Sequence, residues 1–193
     1  MLAHTANIEL REEPISELNR YAAVPSVFET HTVFDVIENP NGLELREREI
    51  GRPYKKDYDS VESPLEWPTR FDVSNWTLIG AFRSGERVGG AIGALNSPDL
   101  GMLEGRGDVL VLWDIRVSPR ARRLGIGSSL FRRIEAWGSE RRCRELRVET
   151  QNTNVGACRF YARQGCRLTR ARYHAYSRLP DEVQLIWSKA VGA

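Results

Sequence analysis

Six residues in the second half of the chain have the composition of an anion site. They run Arg122, Arg123, Leu124, Gly125, Ile126, Gly127, with Arg120 just before them and Ser128 just after. The chemistry this permits is the capture of phosphate. The first turn of a helix leaves backbone N–H groups without partners, and the helix dipole favours negative charge there. Glycines at 125 and 127 carry no Cβ, so a bulky anion can approach the backbone closely. The arginines supply charge-assisted hydrogen bonds. Ser128, early in the helix, suits contact with phosphate rather than nucleophilic attack. The pattern is not a dinucleotide-binding Gly-x-Gly-x-x-Gly, and it lacks the Gly-Lys-Ser/Thr ending of a P-loop. Plain basic loops also carry glycines at this spacing, so the turn needs support from elsewhere in the chain.

The elements around the turn supply it. Residues 109–117 form a nearly continuous apolar run, as a strand buried on both faces does. A basic loop, 118–124, follows. A helix is expected over 125–141, with Ile126, Leu130, Ile134 and Trp137 on one face. Residues 145–150 alternate apolar with charged, as a strand does. A second helix is expected over 155–164, capped by Asn154 and stopped by Gly165. Strands over 166–176 and 183–189 close the chain. Upstream, 76–82 and 87–95 read as strands of a hairpin with its turn at Ser84-Gly85, and 97–107 as a loop. The first seventy residues are less regular. A strand is expected at 7–10. Strands at 33–37 and 43–50 are joined by the turn signal Asn39-Pro40-Asn41-Gly42. Residues 51–70, rich in Pro, Asp and Tyr, read as an ordered loop. The order predicts an α/β sandwich around one central buried strand.

Composition narrows the function. At 193 residues, with 41% apolar and 28% charged, the chain suits one soluble globular domain. No apolar run approaches the roughly 20 residues that span a bilayer, and residues 1–11 lack a secretory pattern, so a cytoplasmic, membrane-free protein is expected. The net charge of +2 gives little general attraction to nucleic acid. Arg132, Arg133, Arg141, Arg142 and Arg144 could contact phosphates, but no aromatics interleave them, and a solvated helix face is the simpler reading. Cys143, Cys158 and Cys166 have neither zinc spacing nor nearby histidines, and read as reduced structural thiols. His4, His31 and His174 are dispersed, which gives no covalent triad and no metal site.

The turn, placed after a buried strand, resembles the acyl-coenzyme A signature Arg-x-x-Gly-x-Gly of the GCN5-related N-acetyltransferase (GNAT) superfamily. Asn154, Ala157, Tyr161 and Gly165 resemble that superfamily's second signature, Asn-x-x-Ala-x-x-x-Tyr-x-x-x-Gly. The resemblance covers about residues 76–189. The runs Leu-Trp-Asp-Ile-Arg-Val (112–117), Val-Glu-Thr-Gln-Asn (148–152) and Pro-Asp-Glu-Val (180–183) look like the streptothricin acetyltransferases. So do Pro-Tyr-Lys-Lys-Asp-Tyr-Asp (53–59) and Arg-Phe-Asp-Val-Ser-Asn-Trp (70–76).

The resemblance implies a mixed central sheet with splayed parallel strands four and five, flanked by helices, in a single domain over 1–193. Residues 1–75 would shape the acceptor site and 76–193 would bind acetyl-CoA. It implies direct transfer from acetyl-CoA to a primary amine of a small cationic substrate, with the β-lysine amine of streptothricin first in line. A polyamine, an aminoglycoside or a protein lysine remain as acceptors, no metal is needed, and a homodimer is left open. Backbone groups of Ile115, Arg116 and Val117 would hold the pantetheine arm. The turn from Arg122 to Gly127, with Ser128, would hold the pyrophosphate. Asn154 caps its helix and is also placed to touch pantetheine. Tyr161 would donate a proton to the leaving thiolate, or else simply pack. Asp114 is costly in a buried strand without a partner. It either pairs with Arg116 or binds the substrate ammonium, and either it or Glu149 could take the amine proton. Asp57, Asp59 and Trp76, in an acidic and aromatic stretch, would bind the cationic acceptor.

Overall fold

The computed structural model describes residues 8–192; Asn7, where the first strand is expected to begin, lies outside them. The apolar run at 109–117 becomes β6 (Val109–Val117), in the middle of a seven-stranded sheet. The strands before it are β1 (Ile8–Glu13), β4 (Trp76–Arg83) and β5 (Glu86–Ala94). Those after it are β7 (Glu145–Gln151), β8 (Arg167–Arg172) and β9 (Gln184–Ala190). Their order across the sheet is β1-β4-β5-β6-β7-β9-β8, and every neighbouring pair is antiparallel except β6 and β7. A parallel pair needs a crossover, which α3 (Ile126–Glu140) provides. β2 (Val27–Asn39) and β3 (Gly42–Asp57) form a separate ribbon. The expected α/β architecture holds, and the parallel strands occupy the fourth and fifth positions of the sheet.

Each face of the sheet carries its own core. On one, Leu110, Leu112, Leu146 and Val148 pack against Ile126, Leu130, Ile134 and Trp137 of α3. Val155, Cys158 and Tyr161 of α4 (Val155–Arg163) join them. On the other, Leu78, Ile92, Val109 and Val111 meet Leu18 and Tyr21 of α1 (Leu18–Ala22) and Trp67 of α2 (Trp67–Arg70). Burying one such side chain fully is worth roughly 1.5–3 kcal/mol, so these two layers hold the sheet rigid. All three cysteines are free and buried in this core. No described helix is long and apolar enough to cross a membrane.

β6 and β7 pair only from Val109↔Glu145 to Leu112↔Val148 and then diverge. At the same point β6 carries a bulge. Its partner positions on β5 step from Gly93↔Leu112 to Ile92↔Asp114, which leaves Trp113 as the extra residue. An extra residue reverses the alternation of faces beyond it. Trp113 stays on the α1 and α2 side with Val109 and Val111, and beyond it Asp114 and Arg116 find their partners on that side, while Ile115 and Val117 pack on the α3 side.

Several local expectations need correction. Residues 51–57 continue β3 as strand, and only 58–70 break into short helical turns. The loop-like composition has a local cause: pairing steps from Thr30↔Tyr54 to Thr32↔Glu49, so Gly51 and Pro53 fall in an irregularity that the ribbon tolerates. β8 ends at Arg172, and 173–183 is a loop rather than more strand. The short helix α1 has no periodic signal, because five residues are too few to show one. The hairpin turn at Ser84 and Gly85 is as expected, with φ of 51° and 82°.

Gly90 lets β5 lie directly against the Tyr21 ring. A Cβ there would stand 2.7 Å from that ring and 2.9 Å from the Ile79 carbonyl, both fixed in the core. Gly90→Ala is expected to lower the unfolding free energy by roughly 1–3 kcal/mol, as overpacking does, measured by urea denaturation.

Candidate active site

The divergence of β6 and β7 opens a cavity of about 600 Å³ that runs from the α3 N-terminus to the far face of the sheet. At one end Arg122 to Gly125 are exposed to solvent, as a highly charged group requires, while Ile126 is buried in the core. Arg123 and Gly125 both have left-handed backbone, with φ of 64° and 78°. At Gly125 this conformation, rather than space, calls for glycine. Gly127 lines the cavity, but a Cβ on it would stand 3.3 Å from the Phe160 ring, so its bareness lets α3 and α4 pack closely as well. The Arg122 guanidinium donates to the carbonyls of Val117 and Val27, at 3.2 and 2.9 Å, which fixes the turn against β6 and β2. The Ser128 hydroxyl accepts from Gln164, and Ser128 is not in the cavity wall. Arg123 and Leu124 point at solvent beside the cavity.

In the middle, β6 from Ile115 to Val117 forms one wall, and Asn154, Ala157 and Tyr161 form the other. Past Leu112 the β6 edge that faced β7 has no strand partner. Backbone N–H and C=O groups demand partners, so this is a slot suited to an extended ligand rich in amides. Asn154 caps α4, accepting from the Ala157 N–H at 3.0 Å, while its amide donates to the Tyr58 hydroxyl at 3.0 Å. Tyr161 is buried, lines the cavity and makes no side-chain hydrogen bond among the described residues. Burial pushes its hydroxyl pKa well above the ordinary tyrosine value, so it stays a proton donor.

At the far end stand Trp113, Asp114, Glu149, Lys56, Tyr58 and Tyr176. Glu149 accepts from the Tyr176 hydroxyl at 2.6 Å and from the Gln184 amide at 2.7 Å. Burial pushes its carboxyl above the usual value, against the lowering effect of those two donors and of Lys56. The network continues: Gln151 donates to the Tyr176 hydroxyl at 2.9 Å and accepts from the Tyr58 hydroxyl at 2.6 Å. Glu149 is therefore wired through Tyr176, Gln151 and Tyr58 to Asn154.

Asp114 takes the first of the two alternatives read from the sequence, the pair with Arg116. Its Oδ2 accepts from the Arg116 guanidinium at 2.6 Å and from the Tyr21 hydroxyl at 2.9 Å. Its Oδ1 makes no hydrogen bond among the described residues. The Arg116 side chain turns away from the slot. It is buried among Asp114, Asp59 and the Val24 carbonyl, with its guanidinium 4.8 Å from the Tyr21 ring centre. Asp59 is thereby spent on Arg116, with its Oδ1 at 3.0 Å, and is not in the cavity wall. Asp57 caps a helical turn through the Asp59 N–H. Trp76 lies behind Trp113 in a four-ring cluster with Trp67 and Phe71. Of the four residues expected to bind the acceptor, only Asp114 reaches the cavity. Trp113, Tyr176, Lys56 and Trp67 line that end of the cavity. Trp113 stands out in the sequence only as the neighbour of a carboxylate in a buried strand. The others reach the site through long-range contacts that leave no local mark.

A mixed sheet opened between its two parallel strands, with a helix N-terminus at the mouth of the opening, is the architecture of acyl-CoA-dependent transferases. Residues 43–166 match the Acetyltransferase (GNAT) family profile. The chain belongs to that family and is an N-acetyltransferase. It is similar to the streptothricin acetyltransferase of Escherichia coli, with 32% identity over 171 residues, which is 86% of this chain and 87% of that one. Among solved structures it shares its fold with a nourseothricin acetyltransferase, at a TM-score of 0.76 and 24% identity over 97% of this chain and 100% of the other. It also shares it with a candidate streptothricin acetyltransferase of Bacillus anthracis str. Ames in complex with acetyl coenzyme A. There the TM-score is 0.78 and the identity 21%, over 95% and 99% of the two chains.

Asp114→Ala is expected to destabilise the fold by about 2–3 kcal/mol, because it leaves a buried guanidinium with one carboxylate fewer. The loss sits at the low end of that class because Asp59 remains, and urea denaturation measures it. Asp114→Asn, which keeps the contact with Tyr21, should cost less.

Proposed function

We propose that the chain transfers an acetyl group from acetyl-CoA to the primary amine of a small cationic acceptor, with the β-lysine amine of streptothricin as the first acceptor to test. One observation carries the reading: a single cavity joins the α3 N-terminus, the unpaired edge of β6 and the carboxylates Asp114 and Glu149. The donor end fits the group by its chemistry. The first turn of α3, with Gly125, Gly127 and the arginines beside it, would hold the pyrophosphate. The backbone of Ile115, Arg116 and Val117, with Asn154, would hold the pantetheine amides. When bound, acetyl-CoA supplies an activated acetyl thioester.

The protein's own residues then do four things. The β6 edge aligns the donor, which turns an encounter into a positioned reaction. Trp113, Tyr58 and Tyr176 give an aromatic surround, and Asp114 and Glu149 give negative charge, for an alkylammonium. Glu149 has no cationic partner in direct contact among the described residues, and it takes the amine proton directly or through water. Tyr161, kept protonated by its burial, donates to the departing sulfur. The names of the relatives support streptothricin ahead of polyamines, aminoglycosides and protein lysines, and low net charge speaks against nucleic acid.

Tyr161→Phe is expected to reduce kcat by about 10²-fold, the lower range for a lost proton donor, with acetyl-CoA affinity unchanged within about threefold. Steady-state thiol release and calorimetry check the two halves. For Glu149 the sign follows from its raised pKa: a base must be deprotonated, so kcat/KM falls as pH drops through a value above the ordinary carboxylate range. Glu149→Gln should lower the rate at every pH and leave only the limb set by the acceptor amine itself. A panel of streptothricin, lysine, polyamines and basic peptides, followed by thiol release, identifies the acceptor. Efficient turnover of another amine with none of streptothricin rejects the specific assignment.

A further inference from the structure

A second cavity, of about 490 Å³, lies against the sheet face opposite α3 and α4. Its floor is the uncovered surface of β7, β9 and β8, and its wall is Phe71 with the loop 99–102. It shares three residues with the first cavity: Met102, Trp113 and Glu149. These stand at the junction, and Glu149 is also the carboxylate assigned to the acceptor amine.

We infer that the second cavity is an acceptor subsite, so that the acceptor spans both chambers, its amine arm passing Trp113 and Glu149 and its body lying on the open sheet. This rests on the amine-transfer reading and deepens it. The lining decides the chemistry of that body. Four arginines (Arg70, Arg147, Arg170, Arg172) and three acids (Asp99, Glu145, Glu149) line it, and Glu62 and Glu104 pair with three of those arginines, so the chamber has no large net charge. The arginines are already tied: Arg147 to Glu145 and Glu104, Arg170 to Glu104, and Arg70 to Glu62. Arg172 has no carboxylate partner among the described residues. What remains on offer is the Arg172 guanidinium and the N–H groups of Arg70 and Arg170 that their carboxylates leave free, beside the flat faces of Phe71 and Trp113, while Thr169 and Ser188 are bonded to each other. That suits a body rich in carbonyl or hydroxyl oxygens. A compact diamine would leave this chamber unused.

Two acceptors with a similar amine arm test this: streptothricin, and lysinamide, which has no body. Thr169→Trp fills the second chamber from an exposed position, and Arg172→Ala removes its unpaired donor without touching the core. The ratio of kcat/KM for streptothricin to that for lysinamide should fall at least tenfold in Thr169→Trp and about threefold or more in Arg172→Ala. Calorimetry without acetyl-CoA should show the same loss in streptothricin affinity. A ratio and an affinity unchanged within twofold in both variants overturn the inference. So does a parent enzyme that handles lysinamide as well as streptothricin, and in that case amine transfer stands. A parent enzyme that acetylates neither removes the acceptor reading, and the subsite with it.

Discussion

Backbone groups inside a protein must find partners, and β6 is built to leave some of its own unsatisfied. Its first four residues pair with β7, and Val111 and Leu112 pair with β5 as well, held between two apolar layers. Past Leu112 the β7 edge is free. The bulge at Trp113 lets the same strand do both jobs. It bends β6 at the point of divergence, and it shifts the phase so that Asp114 and Arg116 face one layer while Ile115 and Val117 face the other. With the same residues in unbroken alternation, Asp114 would share the face of Leu110 and Leu112 and point into the apolar layer under α3.

The segments outside the main sheet share its core through Tyr21, Trp67 and Phe34, and polar contacts to this strand and to the end of β7 fix how they sit. Arg116 gathers Asp59, the Val24 carbonyl and Asp114 around one guanidinium. Asn152 is clamped between two segments: its amide donates to the Phe34 carbonyl at 2.9 Å, and its Oδ1 accepts from the Val183 N–H at 2.8 Å. Lys56 of β3 is buried in an ion pair with Glu182 at 2.5 Å, and Tyr54 donates to the same carboxylate. The loop that carries Tyr176 is thus fixed to the ribbon, and the ribbon to the sheet. A buried ion pair contributes little net stability, but it is exacting about geometry, which is what a site assembled from distant segments needs.

What the sequence shows and what it hides divide along the same line. The central strand, both helices, the cap at Asn154 and the left-handed stop at Gly165 are legible because each is dictated by neighbours a few residues away. The bulge is not, since Trp113 extends an apolar run without interrupting it, and only pairing with β5 exposes the extra residue. Asp57, Asp59 and Trp76 look like acceptor contacts on composition alone. Whether an acidic side chain faces a ligand or an arginine depends on partners such as Arg116, fifty-seven positions from Asp59. Tyr176 looks like part of a strand because its surroundings alternate, yet its role comes from Glu149 and Gln151 on another element.

The unpaired edge of β6 has a thermodynamic side. Where two core strands part, their amides are hydrated in the free protein, and a ligand that runs along them takes the place of a missing strand. Such a ligand binds the folded chain and not the unfolded one, so it raises the unfolding free energy in proportion to RT ln(1 + [L]/Kd), about 2.7 kcal/mol at a hundredfold excess over Kd. The resistance of this protein to heat and proteolysis is then not a property of the chain alone. It would track the supply of whatever fills the gap, and under the proposed binding mode a fold left incomplete at its centre would act as a gauge of its own cosubstrate.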